Sequence, residues 1–269
     1  VSYWFDSSGV DESGEVPVRL VGRRVEPSSD AEDPPGSADA FDVVHVVRDV
    51  PSGVGQLCAT IRVTGTAPGE WEVDAYPPHA SPVRVRARTG FQPFIGEIAP
   101  GASLGAWALL VFLGALAGVS LFMFLVSRAQ LPVAPIGLLA VLACVIGVVG
   151  AKVYYLAQAP GRGSWTSPGG MCIQGFVIAA LGVMAAGSWI LGQPLLALMD
   201  LATPALLLGM AIGRLGCWRG GCCTGRLTSG RWAVWCSDRR LGGRRIPVQM
   251  MEAAVAGVLA LGTLLLLEV

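Results

Sequence analysis

Residues 213–252 read GRLGCWRGGCCTGRLTSGRWAVWCSDRRLGGRRIPVQMME, and how this stretch is held decides how the chain is built. It lies between two apolar segments, 195–215 and 247–267, each long enough to cross about 30 Å of hydrocarbon as a helix. Yet it carries Arg214, Arg219, Arg226, Arg231, Arg239, Arg240, Arg244 and Arg245 against only Asp238 and Glu252. So basic a connection at a membrane edge calls for an anion. Arginine supplies all of the positive charge, and its planar, permanently protonated fork of donors matches phosphate oxygens two at a time. Glycines at 213, 216, 220, 221, 225, 230, 242 and 243 let the backbone turn sharply and approach a ligand. From charge alone, holding anionic headgroups or setting topology explains the loop equally well.

Outward from the loop, residues 104–127, 133–157 and 171–192 are further apolar runs of spanning length, which makes five predicted spans with 195–215 and 247–267. Small-residue patterns such as GALAG and GVVGA permit close helix packing. Trp107, Tyr154, Tyr155 and Trp165 fall near predicted ends, as interfacial anchors do. Pro204 lies inside the fourth span and frees a carbonyl there. Asp200 and Glu252 sit in or at the edge of apolar segments, where a carboxylate wants a partner; an arginine from the basic loop is expected for each.

Residues 1–100 have another character and hold most of the acids, so the formal net charge of zero conceals two unlike halves. Segments 16–25, 41–50, 57–64, 70–76 and 83–89 are rich in Val and Thr with period-two alternation, separated by Pro, Gly and Ser turns. The acidic run 27–39 reads as a solvated loop. A small sandwich-like β domain is predicted; five strands are few for a core, and a docking surface would complete it. The histidines, His45 and His79, and Trp4 and Trp71 are assigned to packing rather than chemistry. The predicted fold class is therefore mainly α: a polytopic bundle at 101–269 with an arginine-rich head loop at 213–246, preceded by a β-rich domain at 1–100. A chain of 269 residues, 53% apolar and 14% charged, fits that description, and no nucleic-acid partner is implied.

The order of residues across these elements resembles the prolipoprotein diacylglyceryl transferase family, whose signatures run G-R-x-G-N-F-x-N-x-E-x-x-G and, later, R-x-P-x-Q-x-x-E. GRLGCWRGGCCTG at 213–225 and RIPVQMME at 245–252 follow them in order. Upstream, Gly169, Gly170, Met171 and Gly175 resemble the family's G-G-M-x-x-H-G-G loop, and Asp200 with Pro204 its D-x-x-x-P helix. The likeness covers roughly residues 103–269. It implies Arg214, Arg245 and Gln174 as catalytic positions, and Gly170, Asp200, Gly213, Gly216, Gly225, Arg226, Gln249 and Glu252 as substrate-binding ones. It also implies transfer of diacylglyceryl from phosphatidylglycerol to the lipobox cysteine of a prolipoprotein, in the bacterial plasma membrane, with membrane lipid as surroundings and no metal or organic cofactor. The chain departs from the pattern at Gln174, where the family has His, and at Cys217, Gly220 and Cys222, where it has Asn, Asn and Glu. A non-catalytic homologue binding phospholipid or lipoprotein is the alternative these departures raise.

Two further expectations concern sidedness and sulfur. Counting arginines puts the head loop in the cytoplasm, whereas the resemblance puts it, with the N-terminal domain, on the outer face; the resemblance is followed. The chain starts at Val1 and stops after the fifth span, where the family continues, so a fragment or shortened homologue is expected. Cys217, Cys222, Cys223 and Cys236 share one loop and offer a metal site, thiol exchange or disulfides, so a redox or metal-handling membrane protein is the other rival. Without a C-x-x-C pair or a nearby histidine a closed zinc site is disfavoured, and a loop-closing disulfide is the expectation, with Cys236 as one partner.

Overall fold

Strand β2 (Val16–Arg24) alternates strictly, turning Val16, Val18 and Leu20 inward and Pro17, Arg19 and Arg23 outward. That pattern buries one face of a sheet, and β2 is central to it: β3 (Ala40–Val47), β2, β5 (Gly69–Tyr76) and β6 (Val83–Thr89) run antiparallel in the order β3-β2-β5-β6. On its exposed face cross-strand pairs match charges, Arg19 with Asp42 and Arg84 with Asp74. Fully buried Trp71 packs on Phe41 at 5.5 Å between ring centres, and both belong to a core with Leu20, Leu57, Ile61 and Val73.

The computed structural model describes residues 1–12, 14–25, 39–76, 83–89, 97–103, 105–158, 164–165 and 170–267. His79, Gly169 and the acidic run up to residue 38 lie outside them.

Leu57 belongs to β4 (Gln56–Thr60) of a second sheet, whose composition the N-terminal sequence does not foretell. Its order is β1-β4-β10-β9, where β1 is Ser2–Asp6, β9 is Val234–Cys236 and β10 is Leu241–Arg245. Leu241 and Gly242 of the head loop pair antiparallel with Ala59 and Cys58. The surface that completes the small β domain is thus the head loop itself. A short hairpin of β7 (Glu97–Ala99) and β8 (Ala102–Ser103) follows the N-terminal strands. By contacts, Val1–Leu109 and Leu215–Met251 make one unit, while Leu110–Arg214 with Glu252–Val269 make the other.

Among the described residues five helices are long and apolar enough to cross a membrane: α1 (Ala106–Arg128), α2 (Val133–Gln158), α3 (Ile173–Ile190), α4 (Leu195–Gly220) and α5 (Val248–Leu266). Their exposed faces are Leu, Val, Ile and Phe, as lipid-facing surfaces are. Glycine sets how closely they cross. A Cβ on Gly175 of α3 would lie 2.3 Å from the Gly150 carbonyl oxygen of α2, and one on Gly114 of α1 2.6 Å from that of Gly209 on α4. Helix α4 runs through Pro204, which is fully buried. This is a mainly helical polytopic bundle with a strand-rich region at its N-terminus.

Candidate functional site

The head loop is shaped first by how α4 ends. Gly221 has φ of 62°, its N–H reaches the Trp218 carbonyl at 3.4 Å, and the N–H of Cys222 reaches that of Cys217 at 3.1 Å. This pair of bonds is a Schellman motif, in which glycine takes the left-handed position and the chain reverses over the last turn. The contact such a motif makes between its two flanking side chains falls here to Cys217 and Cys222. A side chain at Gly221 would also meet Ala102 and the Ser237 carbonyl at 3.0 and 3.1 Å.

After that turn the two signature segments are sewn together. The N–H of Ile246 donates to the Arg226 carbonyl at 3.1 Å, that of Thr228 to Arg244 at 3.0 Å, and Leu227 bridges to Arg245. Gly225 lies so close that a Cβ would sit 2.2 Å from the Ile246 carbonyl oxygen. Gln249, 1% exposed, donates through Nε2 to the Cys222 carbonyl at 2.9 Å, and its Oε1 is buried with no partner in the described structure.

Arg245 is the innermost cation of the loop, 9% exposed. Its Nη1 donates to the Gly225 carbonyl at 2.9 Å and its Nη2 to the Leu241 carbonyl at 2.7 Å, with Asp238 Oδ2 3.7 Å away. Asp238 is held in turn by the Thr224 hydroxyl and the Arg240 N–H. Nε of Arg245 is buried and unpaired. Burial pulls the guanidinium below its usual value, opposed by Asp238, yet an arginine so placed stays protonated at any physiological pH. Arg226 is exposed, as are Arg219, Arg231, Arg239, Arg240 and Arg244. Arg239 Nε caps the Gly220 carbonyl at 2.8 Å.

In the helical unit, Arg214 Nε meets Glu252 Oε2 at 2.8 Å, so the first residue pair expected across the two signatures is formed. Gly213 faces open space apart from Val111, and Gly216 is buried. The expected arginine partner for Asp200 is absent: among the described residues Asp200 is in no ion pair and is exposed. The reason is axial distance. Asp200 is near the start of α4 and Arg214 lies about 21 Å further along it at 1.5 Å per residue.

Gln174 is exposed in the first turn of α3, and its Oε1 accepts from the Cys172 thiol at 2.7 Å. Gly170 has φ of 66°, and the Tyr155 ring fills the place of its missing side chain, 2.4 Å from where a Cβ would stand. Its glycine is thus required by backbone and packing before any ligand is considered.

Sequence reasoning missed Trp235. It stacks on Trp4 at 4.9 Å, and the two rings line a cleft of about 410 Å³ with Gly53, Gln56, Ser229 and Arg244. The signal available was a tryptophan in the five-residue apolar run WAVWC (232–236) between arginines. All seven cysteines are thiols, and Cys236, buried in β9, stands outside the group formed by Cys217, Cys222 and Cys223. The expected loop-closing disulfide is not formed. The reason is the turn, which seats Cys222 over Cys217 while Cys236 pairs with Gly243 in the sheet.

The chain is similar to known proteins. The phosphatidylglycerol-prolipoprotein diacylglyceryl transferase of Trichormus variabilis is 29% identical over 150 residues, 53% of either chain. Those of Dehalococcoides mccartyi and Bifidobacterium adolescentis are 33% identical over 129 residues (44% of this chain, 48% of the relative) and 36% over 84 (27% and 24%). The chain thus spans about half the length, or less, of the curated relatives it matches. A sequence model of the prolipoprotein diacylglyceryl transferase family matches residues 93–269, the greater part of the chain and all five helices, and the chain belongs to that family.

Proposed function

We propose that this protein transfers the diacylglyceryl group of phosphatidylglycerol to the cysteine thiol of a prolipoprotein lipobox, forming a thioether and releasing glycerol phosphate. The observation that carries the proposal is Arg245. A guanidinium is buried where the two signatures meet, held by the Gly225 and Leu241 carbonyls, with its Nε still unspent. Negative charge grows on phosphate oxygens as sulfur attacks the glyceryl carbon. Fixed cations in a water-poor setting stabilise that charge without reorganising. Arg214, by its own matching position in the first signature, is proposed to contribute as well: it is ion-paired with Glu252 yet 27% exposed at its side chain. The other loop arginines gather anionic headgroups electrostatically.

The head loop and the N-terminal strands share a sheet, so one membrane face serves both. The outer face of a bacterial plasma membrane is proposed for it. The test is incubation with phosphatidylglycerol and a lipobox peptide, followed by mass analysis. A peptide heavier by one diacylglyceryl group, with stoichiometric glycerol phosphate, is expected; unmodified peptide at long times would refute transfer.

A second reading, a lipid-binding homologue without catalysis, is favoured by Gln174. An amide neither takes nor gives a proton near neutral pH, and here its oxygen is occupied by the Cys172 thiol. Tight phosphatidylglycerol binding without product would establish it.

A further inference from the structure

The Schellman turn gathers sulfur. Cys217, Cys222 and Cys223 bring their Sγ atoms within 4.8 Å of one another, with Cys217 buried, Cys222 half-buried and Cys223 exposed. The group is walled on one side and open on the other. Cys223 has φ of 55°, a left-handed conformation that a side chain disfavours, and Gly221 takes the same region two residues earlier. Two left-handed residues in three are what turn both thiols back over the end of α4.

Thiols so close resist ionising together. A bound cation reverses that preference, because the thiolate is the ligand form and a coordinated thiol is deprotonated outright. Sulfur donors alone select a soft ion, zinc or Cu(I). The carbonyl end of α4 favours positive charge at this point. Arg239, bonded to the Gly220 carbonyl, and Arg219 in the last turn offset the negative charge that three thiolates leave around a dication. Three protein ligands are the number with which zinc keeps a position open for substrate, whereas four would close it.

The geometry points to Cys217, Cys222 and Cys223 as a three-thiolate zinc site whose open fourth position receives the substrate cysteine thiol. This rests on the proposed transfer reaction and deepens it by naming what activates the nucleophile in a chain with Gln174 in place of a base. On binding, the substrate Sγ–H loses its proton to water. A sulfur lone pair then forms the S–C bond to the glyceryl carbon, and the C–O bond to phosphate breaks. Its electron pair stays on the departing glycerol phosphate, and nothing is oxidised or reduced.

The test uses the whole chain in detergent, reduced and metal-free, then supplied with zinc, Cu(I) or Co(II). About one zinc per chain is expected, and Co(II) in its place should show thiolate-to-metal charge-transfer absorption. Cys217→Ser, Cys222→Ser and Cys223→Ser should each weaken zinc binding by at least the ~10–100-fold that loss of a mere supporting contact costs, while Cys144→Ala leaves it unchanged. No stoichiometric zinc, no such absorption from the unmodified protein, retention of Cu(I) in place of zinc, or a disulfide within the trio in the protein as isolated would each overturn the site. The reaction separates the two claims. Zinc bound without any diacylglyceryl-peptide formed sinks the transfer reading and its activated thiol, but leaves the metal site. Transfer at an undiminished rate in metal-free Cys223→Ser sustains the transfer reading and overturns the inference.

Discussion

Arg214 and Arg245 hold equivalent ranks in the two signatures but are held in opposite ways. Arg245 is buried, and two of its donors are spent on main-chain carbonyls of the loop that surrounds it. Arg214 is partly exposed and answers one carboxylate, Glu252, itself 39% exposed. The difference teaches that one arginine is built into the fold of the head loop, whereas the other is only positioned by a helix. If the proposed transfer holds, loss of Arg245 should therefore damage structure and transfer together, and loss of Arg214 transfer alone.

The largest expected effect breaks the comparison from the Arg245 side. Arg245→Ala leaves the Gly225 and Leu241 carbonyls and Asp238 without their donor, and should cost about 1–3 kcal/mol of head-loop stability, read from thermal or denaturant unfolding followed by Trp235 fluorescence. Arg214→Ala should cost under about 1 kcal/mol in the same measurement, as exposed pairs do. Equal losses would erase the distinction. Gly225→Ala sharpens it without touching a charge. A Cβ 2.2 Å from the Ile246 carbonyl oxygen must part the two signature segments, at roughly 1–3 kcal/mol by overpacking, and should loosen Arg245 but not Arg214. Gln174→His tests a proton-transfer role that involves neither arginine. Its transfer rate should change by much less than the ~100-fold that general-base assistance contributes. A rise of that size or more would show that the natural chain is a degenerate catalyst. The smallest effect is in sulfur reactivity of the reduced, metal-free protein. Cys223 should alkylate first at neutral pH, while Cys222, its thiol pushed up by its two neighbours, reacts only as pH climbs well past the usual thiol range. Equal rates at neutral pH would remove the coupling between them.

How much of this was legible varies with the physics of each part. The five spans are legible because a helix in lipid must be apolar along its whole length, and expected boundaries such as 133–157 and observed ones such as Val133–Gln158 nearly coincide. Strands β2 to β6 are legible because each alternates or is rich in branched residues. Strand β10 is not. Its sequence LGGRR has no alternation, and its partner β4 lies far upstream, so only tertiary structure reveals that head loop and N-terminal strands share a sheet. Arg214, Arg245, Gln249 and Glu252 were legible as members of a pattern, but nothing in that pattern says that Arg245 spends its donors on carbonyls. The thiol trio was hidden for the opposite reason. C-x4-C-C spacing offers no familiar ligand pair, and the turn at Gly221 supplies the proximity that spacing lacks.

Arg214 gives the cleanest test of arginine-supported transfer, because its removal should leave the fold in place. The measurement is diacylglyceryl-peptide formed per minute from phosphatidylglycerol and a lipobox peptide, by the unmodified protein, Arg214→Ala and Arg214→Lys, each with its unfolding transition recorded alongside. The account predicts product from the unmodified protein, none from Arg214→Ala with its unfolding transition nearly unmoved, and poor recovery with Arg214→Lys, since an ammonium lacks the bidentate fork. Turnover near the unmodified rate in folded Arg214→Ala would contradict it.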